Sequence, residues 1–319
     1  MQERVLVTGG HGFLGRSVCA GLQARGVGQV LAPTRAACDL RDPAATTRLV
    51  HESFGGAGPT VVLHLANFTG GLGANRQWPT RFFRDSLVMP LNLLDALAMG
   101  PRGLASVRFV QVGTMCSYPA DAAIPYCEDS LWRGVPERDI ASYGLGKLAV
   151  LQALKAYAAE FGLAWAYVIP TGFFGPGDNL DPSRSHVCGA MVRKYVDAVK
   201  QRQAEVVNWG TGIAKRDFVY VDDAAEGVLV AAETCRALLP EPINLTGGEE
   251  VSIRELAELV SRLSGFAGRT VWDASKGDGQ LRRALDGRRA AERLGFRPRV
   301  SLEEGLRRTV AWYSETLPT

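Results

Sequence analysis

Two side chains four residues apart carry the clearest chemical signal in the sequence. Tyr143 and Lys147 are separated by three residues, and the pattern continues as a helix over residues 148–161. Side chains at this spacing share one helix face. An ammonium near a phenol favours the phenolate, so we expect Lys147 to lower the pKa of Tyr143 and enable proton exchange with a carbonyl or alcohol oxygen. The alternative is an exposed pair on a surface helix.

The composition limits the classes of partner. The chain has 319 residues, of which 46% are hydrophobic and 22% charged, and its formal net charge is +3 at pH 7. These values are ordinary for a globular protein, and the length suggests about two domains. Lysine and arginine form no dense cluster, and no apolar run approaches the roughly 20 residues of a membrane helix. We therefore expect no nucleic-acid or membrane partner, and the mild positive balance suits a small anionic substrate.

The cysteines indicate a reducing environment. Six are scattered along the chain without a C-x-x-C pair, namely Cys19, Cys38, Cys116, Cys127, Cys188 and Cys235. This pattern predicts neither a disulfide framework nor a zinc site, and we expect no metal. The sequence enters a strand almost at once, without the leader of a secreted protein. We expect reduced thiols and a cytoplasmic protein.

A glycine-rich turn follows the first predicted strand, Arg4–Thr8. Gly9, Gly12 and Gly15 form G-x-x-G-x-x-G before a helix predicted over residues 16–25. Glycines at such a turn let backbone N–H groups approach a pyrophosphate at the positive end of a helix dipole. The alternative is a tight turn that happens to use glycine. We predict a bound dinucleotide, with contacts from Gly9, Gly12, Phe13, Leu14 and Gly15.

The residue after the second predicted strand, near residues 29–32, indicates which dinucleotide. A protein that binds NAD usually has an acidic residue about 20 residues past the glycines, whereas an arginine accommodates the 2′-phosphate of NADP. Arg35 occupies this region, so we predict NADP, with NADPH as hydride donor. A solvated loop arginine is the alternative. Asp39 is a candidate for the adenine amino group, and the other expected cofactor contacts are Leu40, Ala66, Lys147 and Pro170.

Strands and helices alternate along the chain. Further strands are predicted at residues 60–65, 108–112 and 163–169, with a helix at 82–99 and a loop at 69–75 that passes over the cofactor. This order predicts an α/β fold, a Rossmann-type doubly wound parallel sheet with a smaller C-terminal α/β substrate domain. We assign residues 1–171 and about 216–247 to the cofactor domain, and about 172–215 and 248–319 to the substrate domain.

Several polar residues are expected to have structural roles. Ser185 is a candidate N-cap for a helix over residues 187–201, and Asp222 or Asp223 for the next helix. Capping boxes are predicted to begin at Ser252 and Ser301. We expect His64 to be a packed core histidine.

Longer stretches resemble one enzyme family. Thr8-Gly9-x-x-Gly12-x-x-Gly15, Tyr143-x-x-x-Lys147 and R-D-F-V-Y-V-D-D at residues 216–223 are similar to motifs of the extended short-chain dehydrogenase/reductases that act on nucleotide sugars. Within that family the chain looks most like the GDP-L-fucose synthases over nearly its whole length. Three stretches carry this resemblance. Residues 70–75 are similar to the family's G-G-I-x-A-N, and residues 113–119 are similar to its G-S-S-C-I-Y-P. Residues 175–187 are similar to its G-P-x-D-N-F-x-P-x-x-S-H-V.

The resemblance implies roles for individual residues. It implies a reduction triad of Thr114, Tyr143 and Lys147, and an acid/base pair of Cys116 and His186 for epimerisation. It implies that the nucleotide-diphosphate sugar is bound by Asn179, Val187, Trp209, Arg216 and Arg283. Relatives are commonly homodimers. The implied reaction is epimerisation at C3 and C5 and NADPH-dependent reduction at C4 of an NDP-4-keto-6-deoxy sugar, from GDP-4-keto-6-deoxymannose to GDP-L-fucose.

The chain departs from the family's motifs at two positions, and several alternative functions remain open. Thr114 replaces the family's usual serine and keeps a hydroxyl, whereas Gly172 replaces an asparagine and removes an amide. Gly172 therefore leaves open a 4-reductase alone, or an epimerase alone, on a different NDP-4-keto sugar. Cys116 could be a small buried hydrophobe, and His186 a helix cap or phosphate ligand.

Other activities of the fold are disfavoured by particular residues. Dehydratases of the family have Asp-Glu where this chain has Met115-Cys116, and the combination of Cys116 with Arg35 argues against a 4-epimerase. A non-catalytic cofactor-sensing protein would be expected to lack Tyr143 or Lys147, and both are present.

Overall fold

The computed structural model describes residues 3–181, 185–235 and 241–316. Residues 182–184 of the 175–187 motif, residues 236–240 of the expected cofactor domain, and the chain ends assigned to the two domains lie outside the described residues. The strands are β1 Arg4–Thr8, β2 Gln29–Leu31, β3 Val61–His64, β4 Arg108–Val112, β5 Ala164–Pro170, β6 Gly172–Phe174, β7 Glu205–Trp209, β8 Lys215–Tyr220, β9 Pro242–Leu245, β10 Glu250–Ser252, β11 Arg269–Asp273 and β12 Arg282–Arg283. The helices are α1 Phe13–Ala24, α2 Pro43–Glu52, α3 Leu72–Gln77, α4 Pro79–Ala98, α5 Ala141–Phe161, α6 Val187–Lys200, α7 Val221–Thr234, α8 Ile253–Ser264, α9 Arg288–Leu294 and α10 Leu302–Thr316.

A six-stranded parallel sheet, in the order β2-β1-β3-β4-β5-β9, forms the centre of the larger half. Its inner strands are continuous apolar runs because both faces are covered by helices. Helices α1 and α7 pack on one face, while α2, α4 and α5 pack together on the other. The strand order reverses between β1 and β3, which creates a crevice outside their carboxyl ends. The predicted doubly wound α/β fold is confirmed.

The smaller half is built from short strands and helices. Strand β8 pairs with β6 and β12 in parallel and with β10 in antiparallel orientation, and β7 pairs with β11 in parallel. Helices α6, α8 and α10 pack against one another. The predicted return to the cofactor domain at about residue 216 does not match this pairing, because β8 lies outside the six-stranded sheet. The elements that return to that sheet are α7 and β9.

The predicted start of α6 at Val187 is confirmed, but the N-cap residues predicted for α6 and α7 are wrong. His186, not Ser185, is the N-cap of α6, because its backbone is extended and its carbonyl accepts the first helical hydrogen bond from Ala190. Tyr220 precedes α7, and neither Asp222 nor Asp223 caps it; both lie in its first turn. There they suit the positive end of the helix dipole.

The two predicted capping boxes have different outcomes. The box at Ser252 is confirmed, since Ser252 accepts from the Glu255 N–H and the Glu255 carboxylate accepts from the Ser252 N–H. At Ser301 only the first half forms, because Glu304 donates its N–H to the serine while its carboxylate pairs with Arg308.

Candidate active site

Helix α5 carries Tyr143 and Lys147 at the carboxyl edge of the sheet. It can approach the turn after β4 because residue 144 is glycine: a Cβ atom on Gly144 would lie only 2.2 Å from the carbonyl oxygen of Cys116. Ser117 joins the two elements by donating its hydroxyl to the Gly144 carbonyl at 3.0 Å. The sequence thereby brings the phenol of α5 and the side chains of the β4 turn into one site.

The phenol of Tyr143 is held by groups from two other elements. Asn67 donates its side-chain N–H to the phenol oxygen at 2.9 Å, and Ser86 orients Asn67 by donating to its amide oxygen at 3.2 Å. The ring of Phe82 contacts Tyr143 edge-on, with 5.6 Å between ring centroids. Asn67 was missed as a functional residue. Its position just beyond β3, at the carboxyl edge of a parallel sheet, is the signal that could have identified it.

The expected lowering of the Tyr143 pKa is wrong for this structure. Burial raises the pKa of Tyr143, the nearby Cys116 thiol raises it further, and hydrogen bonds with Thr114 and Asn67 act in the opposite direction. The charge of Lys147 is not among the causes of this pKa shift. A tyrosine with a raised pKa is a neutral phenol at ordinary pH, which can donate a proton but is a poor base.

Lys147 is buried against the end of β4. Its side chain is only 3% exposed, and its ammonium donates to the carbonyl oxygen of Val112 at 3.0 Å. Burial lowers the pKa of Lys147 to about 7, because the charged form loses hydration that one carbonyl cannot replace. The buried His64 nearby hydrogen-bonds Thr8 through Nδ1 at 2.7 Å, and burial and the Lys147 charge lower its pKa to about 3. His64 is therefore a neutral core histidine, as predicted.

Thr114 and Cys116 lie in the turn that follows β4. Thr114 is buried, and its hydroxyl accepts the Cys116 N–H at 3.2 Å, which caps the short 3-10 helix Met115–Ser117. Cys116 is half-buried. Both side chains interact with the Tyr143 phenol, Thr114 through a hydrogen bond and Cys116 through its charge when ionised. The structure thus brings together the predicted Thr114, Cys116 and Tyr143.

His186 lies at the start of α6, on the other half of the molecule. It occupies the N-cap position of α6, as the helix-cap alternative has it, but its imidazole makes no capping hydrogen bond, so the side chain itself does not cap the helix. The side chain remains accessible to water, yet the surrounding protein lowers its pKa by desolvation. These two observations are consistent with a group on the wall of a cleft rather than in the core.

The region beside His186 contains the segment predicted as a loop over the cofactor. Most of it is instead the short helix α3, which follows Gly71. Asn75 fixes the entry to this helix by donating to the carbonyl oxygens of Gly70 and Gly71. A Cβ atom on Gly71 would lie 3.6 Å from the carbonyl oxygen of Ser185. The start of α3 therefore lies next to the start of α6.

The glycine-rich turn forms a cradle that has no room for side chains. A Cβ atom on Gly15 would lie 2.1 Å from the Gly9 carbonyl oxygen, and one on Gly9 would lie 2.7 Å from the Ala66 nitrogen. Gly12, the N-cap of α1, provides no side-chain cap for the helix that begins at Phe13. The first N–H groups of α1 therefore remain free to bind an anion, and the residues of the cradle fit a dinucleotide pyrophosphate.

The other predicted cofactor contacts surround the same crevice. The Arg35 side chain is 66% exposed and makes only a 3.8 Å contact with Asp39. Asp39 instead forms a close ion pair with Arg41, whose hydrogen bond lowers the pKa of Asp39 to about 2. Leu40 is buried, and its carbonyl accepts from Asn92 at 2.8 Å. Four predicted contacts remain. Half-buried Phe13 and buried Leu14 begin α1, half-buried Ala66 follows β3, and buried Pro170 ends β5.

Two arginines form a positively charged pair on neighbouring strands. Arg216 of β8 and Arg283 of β12 are register partners, so their side chains leave the sheet on the same face. Burial, together with the charge of Arg283, lowers the pKa of Arg216 to about 10. The Nε of Arg283 is buried without a hydrogen-bond partner, and its nearest carboxylate contact is Glu137 at 4.0 Å. Two partly buried guanidiniums with so little compensation fit an anionic ligand.

The remaining predicted substrate residues are less deeply placed. Trp209, at the end of β7, is 71% exposed, and Asn179 is exposed in the segment between β6 and α6. Val187 is the half-buried first residue of α6. Gly172 is exposed at the start of β6, and a Cβ atom there would meet nothing closer than Phe218 at 3.4 Å. The backbone at residue 172 therefore does not require glycine.

Comparisons with known proteins are consistent with this geometry. A family model described as "NAD dependent epimerase/dehydratase family" matches residues 5–246. The chain is 36% identical to the probable GDP-L-fucose synthase 1 of Oryza sativa subsp. japonica over 98% of this chain and 93% of that protein. It is 32% identical to the GDP-L-fucose synthase of Escherichia coli strain K12 over 98% of this chain and 97% of that protein.

A solved structure shares the complete fold. The GDP-L-fucose synthetase of Naegleria fowleri, in a crystal structure with bound NADP, has a TM-score of 0.85 and 26% sequence identity, and the similarity covers 99% of this chain and 95% of that one. Among the helices of the residues described here, none is both long enough and apolar enough to cross a membrane.

Proposed function

The chain belongs to the NAD-dependent epimerase/dehydratase family, and on that premise we propose that it converts GDP-4-keto-6-deoxymannose to GDP-L-fucose with NADPH. The reaction consists of epimerisation at C3 and C5 followed by reduction at C4. The observation that carries the proposal is the cluster of Thr114, Cys116 and Tyr143. The Cys116 N–H donates to the Thr114 hydroxyl at 3.2 Å, and Gly144, next to Tyr143, packs directly against the Cys116 carbonyl. A thiol beside a hydroxyl and a phenol serves two kinds of proton transfer in one site. The full-length similarity to GDP-L-fucose synthases supports the same reaction.

The cofactor of this reaction is NADP. Gly9, Gly12 and Gly15, with the first residues of α1, would hold the pyrophosphate, and the exposed Arg35 would pair with the 2′-phosphate. Lys147 would bind the nicotinamide ribose. When bound, NADPH supplies the hydride that reaches C4 of the sugar.

In the reduction, this chain's residues deliver a proton to the oxygen at C4. Negative charge builds on that oxygen as the ketone becomes an alcohol. Tyr143, which carries its phenolic proton at neutral pH, donates that proton to the oxygen. The Thr114 hydroxyl hydrogen-bonds the same oxygen, and Asn67 holds the phenol in place and stabilises the phenolate that is left.

In the epimerisation, Cys116 and His186 move protons at carbon. The 4-keto group acidifies the C–H bonds at C3 and C5, so that a base can remove each proton to leave an enolate. An acid then returns a proton to the opposite face. A thiol and an imidazole, with ordinary pKa values of about 8.5 and 6.5, both titrate close enough to neutral pH for this work. The lowered pKa of His186 keeps its imidazole neutral and able to accept a proton.

The diphosphate of the nucleotide sugar would bind at the arginine pair. Arg216 and Arg283 lie on one face of neighbouring strands, and the unpartnered Nε of Arg283 suits a phosphate oxygen. Trp209 would contact the nucleotide with its exposed indole, and Asn179 and Val187 would contact the sugar end. This assignment gives residues of about 172–220 and 248–319 the substrate-binding role, and residues 1–171 with α7 and β9 the cofactor-binding role.

Gly172 favours one alternative function. Neither backbone conformation nor space requires glycine at residue 172. An asparagine would therefore be compatible with the backbone there, and glycine leaves the site without its side-chain amide. The alternative is therefore a 4-reductase or an epimerase that acts on a different NDP-4-keto sugar, one that does not need this amide.

The protein is proposed to be a cytoplasmic homodimer. Helices α4 and α5 expose Phe83, Leu145 and Phe161, which a second copy would cover. None of the six cysteines, all within the described residues, forms a disulfide, which suits a reducing compartment. Light scattering on the purified protein tests the dimer, and a mass equal to one chain would contradict it.

The test is an assay with GDP-4-keto-6-deoxymannose and NADPH in deuterated water. Consumption of NADPH with deuterium at C3 and C5 of the product is expected. Reduction without deuterium would leave a plain 4-reductase, and no reduction would contradict the proposal. Cys116→Ser should slow deuterium exchange far more than reduction of an already epimerised ketone. Cys127→Ser, a free cysteine outside the cluster, is the matched control.

A further inference from the structure

Arg16, in the first turn of α1, connects the cofactor cradle to the substrate half. Its guanidinium donates to the Gly177 carbonyl oxygen at 2.6 Å and to the His11 carbonyl oxygen at 3.2 Å. His11 lies within the glycine-rich turn, whereas Gly177 lies in the segment after β6 that leads to Asn179 and α6. One side chain therefore touches both the turn that would hold the pyrophosphate and the segment that would hold the sugar.

The segment is shaped around this contact. Gly177 has a φ of +85°, and a Cβ atom on it would lie 2.5 Å from a guanidinium nitrogen of Arg16. Two side-chain hydrogen bonds order the residues that follow: Asp178 accepts the Asn179 N–H at 2.7 Å, and Asn179 accepts the Asp181 N–H at 3.0 Å. The position of Asn179 is thus fixed by the backbone that Arg16 holds.

The same segment is fastened to α6. Arg193 of α6 donates to the Leu180 carbonyl oxygen at 2.9 Å. The Asp178 carboxylate lies against the first turn of α6, where a Cβ atom on Gly189 would be 3.2 Å from its Oδ2. Helix α6 begins immediately after His186. The contacts therefore form a continuous path from the glycine-rich turn, through Arg16 and residues 177–181, to His186.

We propose that Arg16 is a positioning residue that couples occupancy of the cofactor cradle to the placement of Asn179 and His186. The inference rests on the proposed function for the identity of the two ligands, a nicotinamide dinucleotide and a nucleoside diphosphate. Binding of a pyrophosphate at the turn fixes the His11 carbonyl and with it the guanidinium, and the guanidinium then holds residues 177–181. An element in contact with both sites can carry a coupling free energy between them.

The test measures binding rather than turnover. The Kd of GDP is determined by calorimetry with and without saturating NADPH, on wild type, Arg16→Ala, Arg16→Lys and the control Arg25→Gln. Arg25 lies at the other end of α1, where it forms ion pairs with the α7 carboxylates Glu226 and Glu233. The control therefore loses surface ion pairs at a distance from residues 177–181. Wild type and the control should bind GDP about fivefold or more tightly with NADPH present. The ratio should approach one in Arg16→Ala and be intermediate in Arg16→Lys.

A second measurement separates this inference from the proposed function. Hydrogen exchange of residues 175–181 is followed with NADPH alone, where we expect slower exchange in wild type and no slowing in Arg16→Ala. If GDP does not bind but this protection depends on Arg16, the proposed substrate is wrong and the coupling stands. Equal GDP ratios in wild type and Arg16→Ala, or protection by NADPH that does not need Arg16, would overturn the coupling.

Discussion

Replacement of Lys147 by methionine should change how the stability of the protein depends on pH. Lys147 is buried beside β4, and burial lowers its pKa from 10.5 to about 7. At about 1.4 kcal/mol per pKa unit, this corresponds to roughly 5 kcal/mol of unfavourable free energy when the lysine is charged in the folded state. The unfolded chain binds more protons at this residue between pH 7 and pH 10.5. The cost is therefore fully present below about pH 7 and disappears as the pH rises towards 10.5.

The magnitude between two convenient pH values follows from the same pKa values. From pH 7 to pH 9 the wild type should regain about 2 kcal/mol of unfolding free energy through Lys147, whereas Lys147→Met has no such group. The variant also removes the Lys147 hydrogen bond to the Val112 carbonyl, which keeps the Gln111 side-chain N–H as a donor at 2.7 Å, and this loss does not depend on pH. The stability of Lys147→Met relative to wild type should therefore fall by about 2 kcal/mol from pH 7 to pH 9.

Urea unfolding of the cofactor-free protein, followed by tryptophan fluorescence at both pH values, measures this difference. Lys155→Met, which removes an exposed lysine from the same helix, is the control. The other titrating groups are shared by the compared proteins. His64, whose pKa the Lys147 charge also lowers, is buried, and burial is the larger cause of its low pKa, so it stays neutral from pH 7 to pH 9 in both proteins. A difference between wild type and Lys147→Met that is the same at pH 7 and pH 9 would show that burial does not lower the Lys147 pKa.

Three further substitutions test other parts of the site. Gly144→Ala places a Cβ atom 2.2 Å from the Cys116 carbonyl oxygen, so the turn must move and the single-turnover rate of NADPH oxidation should fall on the order of 10²-fold; an unchanged rate would contradict the close packing. Burial raises the pKa of Asp178 to about 7, above its unfolded value, so its stabilising contribution is lost as the pH rises towards 7 and beyond. Asp178→Asn should therefore raise the melting temperature relative to wild type more at pH 8 than at pH 5, and the reverse order would refute the raised pKa. Arg283→Met should raise the KM for the nucleotide sugar about 10- to 100-fold with little change in kcat, and a loss confined to kcat would remove its binding role.

Local patterns were sufficient to predict the frame of the larger half. The predicted bounds of β1 and β4 agree with the structure, and the strand, glycine-rich turn and helix at the start of the chain are present. These features depend on neighbours in sequence: apolar β-branched runs, turn glycines and helical spacing. The same kind of information located Tyr143 and Lys147 on one helix.

The chemistry of the site depended on distant contacts and was harder to predict. The pKa of Tyr143 is raised by burial rather than lowered by Lys147, because Lys147 is directed to the Val112 carbonyl. The hydrogen bond from Asn67, 76 residues earlier in the chain, lowers this pKa but does not outweigh burial. The pairing of β8 with β6 likewise depends on contacts between segments far apart in the sequence. Local patterns therefore did not show that β8, which begins near the predicted domain boundary at residue 216, belongs to the substrate half. Contacts of this kind, such as that between Arg16 and Gly177, leave no periodic trace in the sequence.

The return of β9 to the central sheet has a consequence during synthesis on the ribosome. Strand β5 ends at Pro170, but its outer neighbour β9 begins only at Pro242, after the strands β6 to β8 have been translated. Until then, the nascent chain presents an apolar strand edge whose N–H and C=O groups have no partner, and such edges promote aggregation. Premature termination upstream of Pro242 should therefore yield an aggregating fragment rather than a smaller soluble enzyme.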